Sequence, residues 1–211
     1  MTDERSVVAV IDDDQSVREA LRELFETVAL KTELYGSVDE YLRASKQLPV
    51  NCIVLDVRLP GASGLDFQAQ LANANSRPSI VFLTAHADIP MSVRAIKAGA
   101  IEFLTKPFRH QELLDAVRNG IERDRLNRAQ AKELAALQAR FESLTSRERE
   151  VMALLAEGRI VKQIAGQIGI TAMTVRIHRN QVISKMGARS AADLVRIADK
   201  LGLQSSKEQS G

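Results

Sequence analysis

The chain has 211 residues, of which 45% are hydrophobic and 27% charged, with a formal net charge of +2 and a single cysteine. These values are typical of one or two folded domains, and they exclude a disordered chain and an internal disulfide framework. The longest early apolar run, Val7 to Ile11, is far shorter than the roughly 20 residues of a membrane-spanning helix. The N-terminus does not resemble a secretory signal, so we expect a cytoplasmic protein.

The first half of the chain alternates short apolar runs with helical patterns. The predicted strands are Val7 to Ile11, Lys31 to Tyr35, Cys52 to Leu55, Ile80 to Leu83 and Ile101 to Leu104. Apolar spacings of three and four residues predict helices over Gln15 to Val28, Ser37 to Gln47, Gly64 to Ala74 and Ile89 to Ala98. This alternation predicts an α/β fold with parallel strands and a ligand site at their carboxyl ends.

A single long helix is predicted from His110 to Phe141, because the one glycine in it, Gly120, costs only about 1 kcal/mol in a helix interior. Apolar residues near the end of this helix follow a 3-4-3 spacing: Leu134, Leu137, Phe141 and Leu144. Two interpretations stay open for this stripe. It belongs either to a mostly solvated connector or to a dimerising coiled coil.

After Thr145 the chain shows helical patterns only. Thr145-Ser-Arg-Glu148 predicts a capping box at the start of a helix, and Gly158 predicts the end of that helix. Three more helices are predicted over Ile160 to Ile168, Thr171 to Met186 and Ser190 to Gly202. Four short helices with a tight turn in the middle indicate an all-α helix-turn-helix domain.

Charge divides the chain in the same way. Residues 1–122 carry 13 basic and 18 acidic side chains, a balance of −5, whereas residues 123–211 carry 16 and 9, a balance of +7. A basic second half suits a polyanion such as DNA. We therefore expect a front domain over residues 1–123, a linker helix over 124–142, a DNA-binding domain over 143–203 and a disordered tail over 204–211.

Polar and charged side chains follow successive predicted strands of the front domain. They are Asp12, Asp13 and Asp14 after the first strand, Asp56 at the third, Thr84 at the fourth and Lys106 beyond the fifth. Because the carboxyl ends of parallel strands share one edge of a sheet, these side chains are expected to converge. Carboxylates beside an ammonium suit a divalent cation and phosphoryl transfer. Asp14, directly before a helix, is expected to act as an N-cap.

Four segments resemble the signature of a response-regulator receiver domain covering residues 5–123. They are Val-Ile-Asp12-Asp13, Val-Leu-Asp56-Val-Arg-Leu-Pro60-Gly, Leu-Thr84-Ala-His and Lys106-Pro107-Phe. The resemblance implies a flavodoxin-like (βα)5 fold and phosphorylation of Asp56 by a sensor histidine kinase. It also implies a Mg²⁺ or Mn²⁺ ion, with the following ligands: Asp13, Asp56, the carbonyl of Arg58 and, through water, Asp12.

The same resemblance implies roles for further residues of the front domain. Thr84 and Lys106 would stabilise the phosphoryl group, and Thr84 and Phe103 would form a switch pair. Phe103 has no hydroxyl group, so switching there would be a rotation of an apolar ring. The Lys106–Pro107 peptide bond is expected to be cis. His86 would lie near the phosphate approach, and its role stays open.

The predicted helix from Thr171 has one apolar face and one outward face. The outward face carries Met173, Arg176, Ile177, Asn180, Gln181 and Ser184. Arginine pairs with guanine, asparagine and glutamine pair with adenine, and an isoleucine contacts the methyl group of thymine. The predicted base contacts are therefore Arg176, Ile177, Asn180 and Gln181. The predicted phosphate contacts are Lys162, Thr174, His178, Arg179, Lys185 and Arg189.

The second half closely resembles the DNA-binding domain of the LuxR, NarL and FixJ regulators. The motifs are Leu144-Thr-Ser-Arg-Glu148-Arg-Glu150-Val, Lys162-Gln-Ile-Ala165, Thr174-Val-Arg-Ile-His178 and Lys185-Met-Gly. Lys162-Gln163 stands where that family usually has Lys-Glu. The resemblance implies promoter DNA and RNA polymerase as partners, with homodimerisation on phosphorylation. The segment from Leu83 to Ser92 resembles FixJ-type regulators of aromatic-hydrocarbon breakdown, such as styrene catabolism.

The sequence thus predicts a two-component transcription regulator and not a conventional enzyme, although Asp56 would accept a phosphoryl group and the domain would assist its own phosphotransfer and dephosphorylation. Two alternatives remain. A constitutive DNA-binding protein would have a front domain that does not switch. A haloacid-dehalogenase-like phosphatase would use Asp12 and Asp14, but it leaves Asp56 without a role and lacks an acidic pair after Lys106.

Overall fold

The computed structural model describes residues 6–44, 50–60, 62–72, 78–85 and 88–203. The chain forms two compact units, Met1–Arg128 and Ala129–Gly211. Within the described residues, no helix is both long enough and apolar enough to cross a membrane. His86 and the predicted tail over 204–211 lie outside the described residues.

The first unit is an α/β fold, as the sequence predicts. Its strands are β1 Val7–Ile11, β2 Lys31–Tyr35, β3 Cys52–Asp56, β4 Arg58–Leu59, β5 Ala62–Ser63, β6 Ser79–Thr84 and β7 Glu102–Thr105. Its helices are α1 Gln15–Glu26, α2 Val38–Ala44, α3 Gly64–Ala72, α4 Ile89–Lys97 and the first part of α5 His110–Glu142. The five longer strands form one parallel sheet in the order β2-β1-β3-β6-β7, which confirms the flavodoxin-like prediction.

The sheet is covered on both faces, so its central strands are apolar along most of their length. Alternate residues of β1 serve opposite faces: Val7, Ala9 and Ile11 pack in one hydrophobic cluster, while Val8 and Val10 pack in the other. The antiparallel pair β4–β5 was not predicted. Its two-residue strands are too short to produce a period of apolar residues.

Gly120 lies where α5 packs most closely on the sheet. A methyl group on Gly120 would lie 2.8 Å from Cys52 Sγ and 3.2 Å from Ser79 Cβ. Burial raises the pKa of the Cys52 thiol, and the nearby Asp124 carboxylate raises it further. The packing of α5 against the sheet therefore explains why a glycine stands at position 120, which helix propensity alone does not reveal.

A hydrogen-bond network holds α5 at the edge of the sheet where the strands begin, opposite the edge formed by their carboxyl ends. The buried Asp124 carboxylate accepts hydrogen bonds from Asn51 Nδ2 at 2.7 Å and from Arg128 Nε at 2.6 Å. Arg128 Nη2 also donates to the Val50 carbonyl at 2.8 Å. Asn51 Oδ1 accepts from the Val7 amide at 2.9 Å, so the network reaches the start of β1.

The second unit contains the rest of α5 and four helices, as predicted. They are α6 Ser146–Ala156, α7 Val161–Ile168, α8 Ala172–Met186 and α9 Ala191–Lys200. Thr145, Thr171 and Ser190 cap α6, α8 and α9, and Thr145 and Glu148 complete the predicted capping box. The helix predicted from Ile160 begins at Val161, and the Ile160 amide donates to Gln163 Oε1 at 3.0 Å.

The apolar stripe at the end of α5 packs inside the second unit. Leu137 and Leu144 are buried, and Phe141 packs against the core formed by α6 to α9. Leu134 is 38% exposed. Three of the four stripe residues thus have partners within their own chain. The coiled-coil interpretation stays a prediction.

We predict that Gly120→Ala lowers the free energy of unfolding of the first unit by about 1–3 kcal/mol, because the added methyl group overlaps the buried Cys52 side chain. The matched control is Gly166→Ala in α7, where an added methyl group has no neighbouring atom within 4 Å. That substitution should raise the free energy of unfolding of the second unit by up to about 1 kcal/mol, because alanine has a higher helix propensity than glycine. Urea unfolding measures both. Equal stabilisation by the two substitutions would contradict the packing argument.

Candidate functional site

Three carboxylates meet at the carboxyl ends of β1 and β3. Asp12 and Asp13 directly follow β1, and Asp56 is the last residue of β3. One oxygen from each carboxylate lies within 4.8 Å of the others. Asp12 is buried, Asp56 is half-buried and Asp13 is exposed, so the cluster is open to solvent at one side.

The Lys106 ammonium joins two of these carboxylates. Its Nζ lies 2.7 Å from Asp12 Oδ2 and 2.7 Å from Asp56 Oδ2. The residue follows β7, its amide donates to the Thr84 carbonyl at 2.7 Å, and the Lys106–Pro107 bond is cis as predicted. Of the side chains at four strand ends that the sequence expects to converge, the structure brings together those of Asp12, Asp13, Asp56 and Lys106. Thr84 is joined to Lys106 through its backbone carbonyl.

Burial and pairing oppose each other at these groups. Burial raises the pKa of Asp12, while hydrogen bonds from Lys106 and the Asp14 amide act in the opposite direction and offset part of that rise. Burial alone would lower the pKa of Lys106, but its hydrogen bonds to Asp12 and Asp56 outweigh burial and raise it. The ammonium consequently stays charged beside the carboxylates.

The second carboxylate oxygens of Asp12 and Asp56 accept backbone hydrogen bonds. Asp12 Oδ1 accepts from the Asp14 amide at 2.9 Å, and Asp56 Oδ1 accepts from the Arg58 amide at 2.8 Å. Asp14 Oδ1 accepts from the Ser16 amide at 2.8 Å, which confirms that Asp14 caps α1. These local hydrogen bonds thus orient the Asp12 and Asp56 carboxylates, which both contact the Lys106 ammonium.

The donor set fits a small divalent cation. Magnesium takes oxygen ligands in octahedral geometry at about 2.1 Å, which places adjacent ligands roughly 3.0 Å apart and opposite ligands roughly 4.2 Å apart. The three carboxylates offer oxygens within 4.8 Å of one another, so they are close enough to be drawn together around one ion. Arg58 lies in β4, next to this cluster in sequence, and the use of its carbonyl as a ligand stays a prediction.

The two predicted switch residues lie on neighbouring strands. Thr84 ends β6 and is fully buried, whereas Phe103 lies in β7 and is half-buried. The Phe103 ring lies 5.9 Å from the ring of Phe82, its partner in the β6–β7 register. The structure shows where this pair lies, and its switching role stays a prediction.

The second candidate site is the outward face of α8. Its predicted members are all exposed: Met173, Arg176, Ile177, Asn180, Gln181 and Ser184. Val175, Val182 and Met186 on the other face are fully buried. Ile177 is 48% exposed, although burying an isoleucine is favourable. A helix that displays an isoleucine among polar and basic side chains suits contact with another molecule.

The predicted phosphate contacts differ in their surroundings. Lys162 and Arg189 are exposed, while Thr174, His178 and Arg179 are half-buried. The Thr174 hydroxyl lies 2.8 Å from Thr171 Oγ1. Lys185 Nζ lies 2.7 Å from Glu148 Oε2, so this lysine also has a structural partner.

Sequence reasoning placed Glu148 in a capping box but missed its burial and its pairing with Lys185. Glu148 is buried, accepts from the Thr145 amide at 2.8 Å and pairs with Lys185 from α8. The hydrogen bond from Lys185 lowers the pKa of Glu148, and the bond from the Thr145 amide adds to this effect. Arg140 Nη1 donates to the Met186 carbonyl at 3.2 Å, at the end of the same helix. These contacts fix the C-terminal end of α8.

Comparison with known proteins identifies both units. Residues 8–118 match the response regulator receiver domain family, and residues 142–198 match the luxR family of bacterial regulatory proteins. Nodulation protein W of Bradyrhizobium diazoefficiens is 48% identical over 94% of this chain and 88% of its own length. Response regulator protein TmoT of Ectopseudomonas mendocina is 40% identical over 95% and 91%. The solved structure of the response regulator StyR aligns with a TM-score of 0.78 and 44% identity, covering 93% of this chain and 99% of StyR.

We predict that Glu148→Gln lowers the free energy of unfolding of the second unit by about 1–2 kcal/mol at pH 7, because it removes the charge that pairs with Lys185. Since the folded-state pKa of Glu148 lies below its ordinary value of 4.5, this stabilisation is present above pH 4.5 and is lost as the pH falls through the folded-state value. The difference between variant and wild type should therefore shrink on acidification.

Denaturant unfolding at pH 7 and at pH 4 measures this difference. The control is Glu150→Gln, because Glu150 forms an exposed pair with Arg147 and should contribute at most about 0.5 kcal/mol. A Glu148→Gln variant that loses no more stability than this control would show that the Glu148–Lys185 pair does not stabilise the unit.

Proposed function

Because the chain belongs to the response regulators that join a receiver domain to a LuxR-type DNA-binding domain, we propose that a phosphoryl group on Asp56 controls how it binds promoter DNA. The protein is a DNA-binding two-component response regulator, and its family implies a histidine kinase as phosphodonor. We propose residues 1–123, 124–142 and 143–203 as receiver, linker helix and DNA-binding domain. Its DNA target places it in the cytoplasm.

The observation that carries this proposal is the contact of the Lys106 ammonium with both Asp12 and Asp56 beside Asp13. An Asp56 oxygen would attack the phosphorus of a phosphohistidine, the P–N bond would break, and the imidazole would leave with its electron pair and take up a proton. Lys106 would then stabilise the transferred oxygens, together with the Thr84 hydroxyl.

A divalent cation, Mg²⁺ or Mn²⁺, would be held by Asp13, Asp56, the Arg58 carbonyl and, through water, Asp12, and would neutralise charge on the phosphoryl oxygens. Asp12 and Asp13 keep this ligand set anionic. The arrangement would also let the receiver assist its own phosphotransfer and the later hydrolysis of the acyl phosphate.

Phosphorylation would act on the face formed by α4 and β7. Exposed apolar side chains on α4 are Ile89 at 80%, Val93 at 44% and Ile96 at 45%. The half-buried Phe103 lies in the neighbouring strand, so movement of Thr84 and Phe103 would reshape this face. We propose that the reshaped face forms a homodimer or alters contacts between domains, and a dimer would present two α8 helices to half-sites about one DNA turn apart.

RNA polymerase is the proposed partner at the promoter. The proposed pathway is aromatic-hydrocarbon catabolism, supported by the resemblance of the segment from Leu83 to Ser92. One relative is instead named for nodulation. Genome-wide mapping of the bound promoters distinguishes these pathways directly, because each predicts a different set of adjacent genes.

We predict that incubation with a small phosphodonor and Mg²⁺ attaches one phosphoryl group to Asp56 and tightens operator binding at least about fivefold. Asp56→Asn should abolish both effects, since it removes the attacking oxygen. Peptide mapping by mass spectrometry and operator titration measure the two results. Asp66→Asn is the control, because Asp66 is an exposed carboxylate on α3.

The results of this labelling and titration experiment distinguish the proposed function from its two alternatives. Labelling of Asp56 without any change in operator affinity would favour a constitutive DNA-binding protein. A label on Asp12 that turns over rapidly would favour a phosphatase. Either result would reject control of DNA binding through Asp56.

We predict different effects from the two kinds of DNA contact. Arg176→Ala should weaken operator binding by about 1–3 kcal/mol and relax the preference at one base pair. Lys162→Ala should weaken binding to all sequences. It should also reduce, by about one, the slope of the logarithm of the binding constant against the logarithm of the salt concentration. Titrations at several salt concentrations measure both, with Lys200→Ala as control because Lys200 pairs with Glu133. Equal sequence preference in wild type and Arg176→Ala would remove Arg176 from the base contacts.

A further inference from the structure

Arg18 contacts the backbone of the acidic cluster from α1. Its Nη1 donates a 2.6 Å hydrogen bond to the carbonyl oxygen of Asp12. The guanidinium also lies beside the loop after β2, since a methyl group on Gly36 would be 3.7 Å from the same nitrogen. Arg18 therefore links the first helix to the loop that follows β1.

This contact completes the set of hydrogen bonds that hold Asp12. The Asp12 amide donates to the Tyr35 carbonyl at 3.2 Å, and its two carboxylate oxygens accept from Asp14 and Lys106. The carbonyl bonded by Arg18 belongs to the peptide group between Asp12 and Asp13. Because a peptide group is planar, holding this oxygen also sets the direction of the Asp13 amide and the position from which the Asp13 side chain starts.

Asp13 is the member of the cluster that most depends on this backbone. Its side chain is exposed, whereas Asp12 is buried and Asp56 accepts hydrogen bonds from Lys106 and the Arg58 amide. An exposed carboxylate loses rotational freedom when it binds a cation, and a correctly placed backbone reduces the number of arrangements it must give up.

We propose that Arg18 is a positioning residue for the divalent-cation site, acting through the Asp12–Asp13 peptide group. This inference rests on the proposed function, which assigns the cation to Asp12, Asp13 and Asp56. Arginine suits the task because its guanidinium stays charged and makes strong hydrogen bonds to oxygen acceptors. Residues that orient metal ligands without touching the metal typically change metal affinity by about 10–100-fold when replaced.

The test is a Mg²⁺ titration of the unphosphorylated full-length protein, followed by amide chemical shifts. Arg18→Met should weaken Mg²⁺ binding about tenfold. It should also shift the Asp13 amide resonance before any metal is added. Arg18→Lys keeps the charge and one donor, so it should recover most of the affinity. In Arg18→Met, phosphorylation by a small phosphodonor should return to the wild-type rate at saturating Mg²⁺.

The matched control is Arg22→Met, one turn further along α1, where the arginine pairs with Glu19 and Glu26 at the surface. It should leave the Mg²⁺ affinity and the Asp13 amide unchanged. Arg18→Met and Arg22→Met with equal Mg²⁺ affinity would overturn the proposal. If Arg18→Met does not fold, Arg18→Gln decides in the same way, because its side chain is too short to make the same contact.

Failure of this inference can be told apart from failure of the proposed function. Labelling of a residue other than Asp56 in the wild type rejects the proposed function, whatever Arg18 does. Normal labelling of Asp56 with an Arg18→Met variant of unchanged Mg²⁺ affinity rejects only the role of Arg18. A loss of thermal stability without a change in Mg²⁺ affinity would likewise assign Arg18 to the fold alone.

Discussion

The receiver site depends on one ammonium group held between two carboxylates. Asp12 and Asp56 end neighbouring parallel strands, so the sheet itself brings two like charges close together, and their mutual repulsion disfavours that arrangement. Lys106 offsets this repulsion with a 2.7 Å contact to each. The backbone amides of Asp14 and Arg58 donate to the second oxygens of Asp12 and Asp56 and so orient the same two carboxylates.

The DNA-binding unit also depends on an ion pair, in this case between one carboxylate and one lysine. Glu148 completes the cap of α6 and also receives Lys185 from α8, so a single buried carboxylate connects the start of one helix to the end of another. Arg140 adds a contact to the carbonyl of Met186 at the end of the same helix. The outward face of α8 can display Arg176 and Ile177 because the position of this helix is fixed from its opposite face and its C-terminal end. The exposed side chains of this face are therefore available to contact DNA.

The elements and the convergence of the acidic residues could be predicted from the sequence because both follow from local patterns. Continuous apolar runs predicted five parallel strands, and the order of strand and helix placed Asp12, Asp56 and Lys106 at one edge. Contacts that join distant parts of the chain left no such pattern. Glu148 and Lys185 are 37 residues apart. The sequence predicted Glu148 as part of a capping box and Lys185 as a phosphate contact, and no pattern indicated that the two pair with each other. A backbone acceptor such as the Asp12 carbonyl has no sequence signature at all, and the packing role of Gly120 requires the position of Cys52.

If Asp56 is phosphorylated as proposed, phosphorylation and cation binding would be linked through Asp12. A phosphoryl group would add about 1.5 to 2 negative charges at Asp56, and Lys106, which is 22% exposed, is the ammonium already in contact with that residue. If Lys106 turned toward the phosphoryl oxygens, Asp12 would lose its ionic partner while only 2% exposed. An unpaired buried carboxylate costs several kcal/mol, and burial already raises its pKa. Asp12 would then either take up a proton or require another positive charge, which is what a divalent cation shared with Asp13 and Asp56 provides. The cation would then do more than assist the transfer, because it would offset the charge of the buried carboxylate after phosphorylation.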